Sequence, residues 1–244
     1  MLLRRVMEHC REQNWFAVLL DFLVVVVGLF VGLQIDTWWE GRRDIRLEQV
    51  YLAELAEDFA INGTRLQGRI AESEAILRAM VALQEQAVHA MPDAGGDVLG
   101  AYVRELQNMP TFIAVDRAYN NLAGSGDLKL IRSRELRNAL ASYYSRSEVI
   151  ELVQQTHEAE LVHTFQPYII AHLDYAAVAF GRLAEFPLPA AVEPGLLVDA
   201  LPTREFRNIV TQKWIIMSDL LNQFRNQLER NNEIEALIEA SRAT

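Results

Sequence analysis

The stretch from Trp15 to Trp39, WFAVLLDFLVVVVGLFVGLQIDTWW, limits what this chain can fold into more than any other feature. Of the twenty residues from Phe16 to Ile35, only Asp21 and Gln34 are strongly polar. Twenty helical residues rise about 30 Å, the hydrocarbon thickness of a bilayer. The run Phe22–Leu33 is apolar on every helical face, which suits lipid better than the surface of a small domain. Trp15 at one end and Trp38-Trp39 at the other fall where amphipathic rings favour the headgroup level. A transmembrane helix over 15–39 is therefore expected, behind a short tail (1–14) and ahead of a helical extramembrane domain (40–244). The small-x-small site of a cleaved signal peptide does not follow the run, so a retained anchor is expected.

Inside this span Asp21, Val25, Gly28, Gly32 and Ile35 succeed one another at steps of four, three, four and three, which lays them on one helical stripe. Gly28-x-x-x-Gly32 has the small-xxx-small spacing that lets two helix backbones approach closely in lipid, although glycine is common in spans for other reasons. A lipid-facing carboxylate is costly, so Asp21 on the same stripe is expected to be protonated, paired or turned toward a partner helix. That partner is either a second copy or a different membrane protein. Arg4, Arg5 and Arg11 before the span nearly balance Arg42, Arg43 and Arg46 after it. The free amino terminus tips the expectation toward a cytoplasmic N-terminus and a periplasmic C-terminal domain.

Charge and cysteine content narrow the function classes. There are 23 basic against 33 acidic residues, a net of −10, and only Lys129 and Lys213 among the basic residues are not arginine. Nucleic-acid binders need a basic face, so this class is set aside. The single cysteine, Cys10, forms no internal disulfide and no Cys-based zinc site.

The rest of the chain reads as helices. Leu52, Leu55, Phe59, Leu66, Ile70, Leu77, Val81 and Val88 give Gly41–Ala90 an apolar stripe. Asn62-Gly63 is a candidate kink, and Pro92 with Gly95-Gly96 marks the end. A short helix near Asp97–Asn108, a break at Pro110 and a helix over Phe112–Ala123 follow. Gly124-Ser125-Gly126 stops the last of these, because glycine accepts the left-handed conformation of a helix end. Asp127–Ile131 reads as an extended or turn-like piece, and Ser133 as the N-cap of a helix that, alone or with a second one joined to it, runs through Tyr143-Tyr144 toward Phe180. Pro187, Pro189, Pro194, Gly195 and Pro202 mark the longest irregular connection. A final helix over Thr203–Ala240 carries Val210, Trp214, Met217, Leu221, Phe224 and Leu228 on a heptad-like seam, continued by Asn231. The fold class is thus all-α: an N-terminal transmembrane helix and a long-helix antiparallel bundle.

Catalytic constellations are thin. Glu160 and His163 have the Glu-x-x-His spacing of di-iron bundles, which need a second such pair and two further glutamates. His157, His163 and His172 fall on differing faces, unlike a helical zinc pair. Gly124-Ser-Gly126 lacks the Lys-Ser/Thr of a phosphate loop, and no Gly-x-Ser-x-Gly elbow is present. The chain is read as no enzyme, with no cofactor, no metal and no catalytic residue. Arg132, Arg134 and Arg137 form a basic cluster, explained either by pairing with Glu135 and neighbouring acids or by a bound anion.

Two blocks carry a resemblance. VVVVGLFVGLQIDTWWEGRR (Val24–Arg43), behind the acidic Asp21, resembles the opening of a bacterial family of small single-span membrane proteins of unknown function. Members read Leu-Gln-Ile-Asn-x-Trp-x-Glu; Gln34, Trp38 and Glu40 match, and Asp36 stands where Asn is usual. AYNNLAGSGDLKLIRSRELRNALASYY (Ala118–Tyr144) is similar to the family's Leu-x-x-Ser-Gly-x-Leu-x-Leu-Ile, Glu-Leu-Arg and Tyr-Tyr pattern. Its matching positions are Ser125, Gly126, Leu130, Ile131, Glu135, Leu136, Arg137, Tyr143 and Tyr144. The resemblance implies a bacterial inner-membrane anchor with a mostly helical domain and assigns no catalytic or ligand residue. The expected function is that of an accessory, scaffolding or structural subunit of a membrane complex or homo-oligomer. The alternative is a membrane-anchored sensory or small-ligand-binding domain.

Overall fold

The computed structural model describes residues 15–89, 96–173 and 194–243. Side chains at 15–18, 21, 33, 35–37, 89, 96–97 and 194–196 lie outside that description. Every regular element among the described residues is helical: α1 (Trp15–His89), α2 (Gly96–Arg104), α3 (Arg117–Ser125), a 3₁₀ turn (Asp127–Leu130), α4 (Arg134–Glu160), a π-helical turn (Leu161–Phe165), α5 (Gln166–His172), α6 (Pro194–Ala200) and α7 (Arg204–Arg242). The chain divides into two units, Met1–Val50 and Tyr51–Thr244.

The expected span and the long helix after it are one element, α1, of 75 residues. No proline interrupts it, so the ladder of i to i−4 hydrogen bonds continues past Asn62-Gly63 with no break in the helix. The turn at Pro92 and Gly95 falls outside the described residues. Among the described residues no helix is long and apolar enough to cross a membrane. The described part of the apolar run, 22–32, is eleven residues and rises about 16 Å.

In the second unit α1 and α7 run antiparallel, because their contacts descend one helix while ascending the other. Asn231 Nδ2 donates to the Phe59 carbonyl (3.1 Å), Arg225 Nη2 meets Glu74 Oε1 (2.7 Å), and Met80 and Gln84 share a groove with Val210 and Trp214. α4 also lies antiparallel to α7, with Tyr143 reaching Asn231 and Arg146 reaching Gln223. One apolar cluster gathers Leu52, Leu55 and Phe59 with Leu122, Ile131, Leu136, Leu140, Ile234 and Ile238. The other gathers Leu66, Ile76, Met80 and Leu83 with Leu99, Val103, Phe112, Ile150, Ile169, Phe206, Met217 and Phe224.

Helix ends follow the expected chemistry in places and depart from it in others. Ser133 Oγ accepts from Leu136 N, and Thr203 Oγ1 accepts from Phe206 N, so both helices start where a side-chain cap satisfies a free N–H. Gly126 has φ +76 and closes α3 with its N–H on the Ala123 carbonyl. The helix expected from Phe112 begins only at Arg117. Residues 111–116 stay non-helical because distant side chains satisfy their backbone: Gln154 bonds both Phe112 N and Phe112 O, and Asn62 bonds both Val115 N and Val115 O. Asp127–Leu130 is a 3₁₀ turn, and Pro194, expected in an irregular connection, opens α6. The helix expected to reach Phe180 passes through the π turn and is described to His172.

The stripe on α1 also shifts. Leu52, Leu55, Phe59 and Leu66 are buried, but farther along Ile76, Met80, Leu83 and Ala87 take the core and Val81 and Val88 are exposed. On α7 the seam holds except at Trp214, which is 45% exposed while Lys213 beside it is fully buried. A helix packed against two neighbours buries more than one stripe, and Lys213, Ile216, Leu220 and Gln227 form the second.

Gly63 leaves room for the Asn231 side chain of α7, since a Cβ there would stand 3.0 Å from its Nδ2. Replacing Gly63 with Val is expected to destabilise the folded chain by about 1–3 kcal/mol through overpacking. Urea unfolding should show a lower midpoint, whereas Gly68→Val, with nothing within 4 Å, should not share this penalty.

Candidate functional site

Two regions hold the residues that the sequence singles out. The first is the amino-terminal part of α1. Here Phe22, Val24, Val25, Leu29 and Phe30 are each more than 60% exposed, and Leu19, Leu20, Leu23, Val27 and Val31 more than 49%. These positions surround the helix on all sides. Among the described residues nothing lies within 4 Å of where a Cβ would sit on Gly28 or Gly32, so they leave the Val25–Gly28–Gly32 face open. Asp21, Ile35, Asp36 and Trp15 are helical, and their side chains are outside the described set. Gln34 and Glu40 are exposed. Trp38 and Trp39 are exposed, meet edge to face at 5.3 Å, and Arg42 stacks 4.3 Å from the Trp38 ring centroid.

The second region is the turn between α3 and α4, and the structure brings its motif residues together as a scaffold. Ser125 Oγ donates to the Asn121 carbonyl at 2.8 Å, and Gly126 supplies the left-handed helix stop. Ile131 and Leu136 are fully buried, Leu130 is half-buried, and Glu135 is exposed. Arg137 donates to the Ile131 and Arg132 carbonyls, so its guanidinium holds the chain entering α4. Arg134 is exposed on the same helix. Tyr143 and Tyr144 pack against Phe59 at 4.9 and 6.0 Å, and Tyr119 stacks on Tyr144 at 4.4 Å.

Three polar residues of α1 hold this region, two at the entry to α3 and one at the turn itself. Asp58, 1% exposed, accepts from Ala118 N (2.8 Å) and from Arg117 Nη2 (2.8 Å), capping the start of α3 with a carboxylate. Asn62 holds Val115, and Tyr51 donates to Asp127 Oδ2 at 2.9 Å. Spaced by seven and four residues, the three share one helical face. Sequence reading missed them because a polar residue within an apolar stripe reads as an interruption; that interruption was the available signal.

Chemistry elsewhere in the bundle is sparse but not absent. Among the described residues no group of three His, Cys, Asp or Glu is placed to hold a metal. Glu160 accepts from Thr164 Oγ1 at 2.8 Å, and His163 is exposed. His172 packs on Tyr168 at 4.7 Å. His157 is half-buried with its Nδ1 buried and unpartnered, and burial lowers its pKa from 6.5. Lys213 was not singled out by its sequence context. Its ammonium donates to the Asn108 carbonyl at 2.6 Å and lies 5.3 Å from the Phe165 ring. Burial pushes its pKa from 10.5 down to about 7, against the opposing charge of Glu105.

No protein-family model, curated protein or solved structure matches the chain.

Two outcomes follow from these geometries. Asp58→Ala strands the Ala118 N–H and is expected to cost about 2–3 kcal/mol, with Asp58→Asn milder, both read by urea unfolding. Lys213 sets a pH slope. Between about 7 and 10.5 the unfolded chain holds a proton that the folded chain has released, so stability rises with pH across that window. Above about 10, burial holds the Tyr143 and Tyr144 phenols neutral in the fold while the unfolded chain ionises, and stability falls again. Lys213→Met should flatten the rise between pH 7 and 10; an unchanged slope would assign it elsewhere.

Proposed function

We propose that this chain is a non-enzymatic, single-span membrane protein of the bacterial inner membrane, acting as an accessory or scaffolding subunit. On this reading it belongs with the single-span family that its two sequence blocks resemble. One observation carries the reading: at the amino-terminal end of α1, ten large apolar side chains are at least half exposed and face every direction around the helix. Exposed apolar surface of this extent needs a cover, and one face of a partner would leave the other sides wet. Lipid covers all sides at once. The sequence supports the same reading, with twenty residues from Phe16 to Ile35 between tryptophans that suit the headgroup level.

The helical unit Tyr51–Thr244 supports a holding role over a catalytic one. Its motif turn is committed to hydrogen bonds that fix α3 and α4 against α1, and its aromatic residues are packed into the core. The open Val25–Gly28–Gly32 face is the surface for a partner helix in this scheme. An N-terminus on the cytoplasmic side places the bundle in the periplasm.

A second reading, small-ligand binding by the bundle, is favoured by one feature. Met80, Val81, Gln84, Val210 and Trp214 line an apolar groove of about 240 Å³. The Gln84 Oε1 is buried there without a hydrogen-bond partner.

Flotation tests the membrane reading. The full chain should rise with phosphatidylcholine vesicles and resist alkaline extraction, whereas Leu23→Arg with Val27→Arg should leave it in the soluble fraction. Recovery of the unaltered chain in the soluble fraction would refute the anchor.

A further inference from the structure

The turns of α1 just beyond the apolar run sort their charges by side. At 3.6 residues per turn, Trp38, Trp39, Arg42, Arg43 and Arg46 share a sector of about 140°, and Glu40 and Asp44 lie outside it, about 60° and 100° beyond Arg43. All seven side chains are exposed. Among the described residues none of the three arginines lies within ion-pair distance of a carboxylate. Arg42 is steadied over the Trp38 ring, so the basic side is partly pre-organised.

This basic side is in phase with the small-residue face. Steps of four and three that join Val25, Gly28 and Gly32 continue through position 35 to Trp39, Arg42 and Arg46. A helix laid along Gly28 and Gly32 would therefore pass over Arg42 and Arg46 on leaving the bilayer. We propose that the occupant of this face is the transmembrane helix of a different protein, one that carries carboxylates where it exits the membrane on the Arg42 side. The proposal rests on the membrane reading above and names the partner's chemistry.

Charge decides between the candidates. A second copy inserted the same way and packed face to face about a two-fold axis would set Arg42 and Arg46 against their own images, a like-charge juxtaposition that specific interfaces avoid. Anionic lipid surrounds a spanning helix on all sides, so it gives no reason to separate three arginines from Glu40 and Asp44. A partner on one side does. The expected pattern is attraction and specificity from the exit charges, with close packing supplied by the glycines.

A charge-reversed copy of the chain serves as the probe. Full-length chains are labelled at Cys10 with a donor or acceptor fluorophore and reconstituted in phosphatidylcholine vesicles at low salt. Flotation is checked first. Wild type mixed with the Arg42→Glu, Arg43→Glu, Arg46→Glu copy should show at least about threefold more energy transfer than wild type mixed with itself, a gap that narrows as salt screens the charges. A glutamine version of the same triple change should fall between the two. Gly28→Ile with Gly32→Ile in either chain should abolish the extra transfer. Equal transfer in both mixtures, or more in the wild-type pair, overturns the proposal in favour of a second copy. No transfer in either mixture also overturns it, as does binding of wild type to phosphatidylserine vesicles that the charge-reversed chain loses, which would hand the face to lipid. Chains that float but do not associate leave the anchor standing and defeat only this inference, whereas chains that fail to float defeat both.

Discussion

The helical unit depends on one hydrogen bond in its middle, from Asn231 on α7 to the carbonyl of Phe59 on α1. That carbonyl belongs to a helix and has an accepting lone pair to spare, but a side chain reaches it only where the two helices nearly touch. Gly63 permits the approach. Tyr143 from α4 donates to the same asparagine, so three helices meet at one buried polar point. Gln227, a turn earlier on α7, donates to the Tyr143 carbonyl and to Ser147. Apolar contacts tolerate sliding; a buried amide that must find its partners does not. The two apolar clusters on either side of this point inherit their register from it.

How much of this the residues announced depends on whether the cause was local. Both ends of the α3–α4 turn were legible, because Gly126 and Ser133 act on backbone groups within a few residues of themselves. The start of α7 at Thr203 was legible for the same reason. The start of α3 was not. Phe112–Asp116 has nothing in its own composition that forbids a helix; it stays out of one because Asn62 and Gln154, far away in the chain, complete its hydrogen bonds. Lys213 is the sharper failure. A lysine beside a tryptophan reads as the solvent side of a helix, yet the amine is inside and the indole partly outside. Packing against α1 and α4 together sets which side of α7 is buried, and one helix's hydropathy carries no record of two neighbours. At the candidate site the Gly28/Gly32 spacing was readable, as were the flanking tryptophans, whereas the grip of Tyr51, Asp58 and Asn62 required coordinates.

The two regions divide their labour. The motif turn has its polar groups satisfied internally: Asp58 on Ala118 and Arg117, Arg137 on two carbonyls, Tyr51 on Asp127. Those hydrogen bonds hold its backbone against α1 and the start of α4. The amino-terminal part of α1 has apolar side chains open in every direction, glycines with nothing above them, and arginines with no carboxylate beside them among the described residues. The subunit role proposed above would use both kinds of surface, one finished and one waiting.

The π-helical turn at Leu161–Phe165 has a consequence for the helix that follows it. Inward positions on α4 run through Leu136, Leu140, Tyr143, Ile150 and Gln154. The wide turn takes up about one residue more than an α-helical turn, and Phe165 at its end, then Tyr168 and Ile169, are buried. Residues beyond it therefore meet the bundle at an azimuth set by this turn and not by the winding of α4 alone.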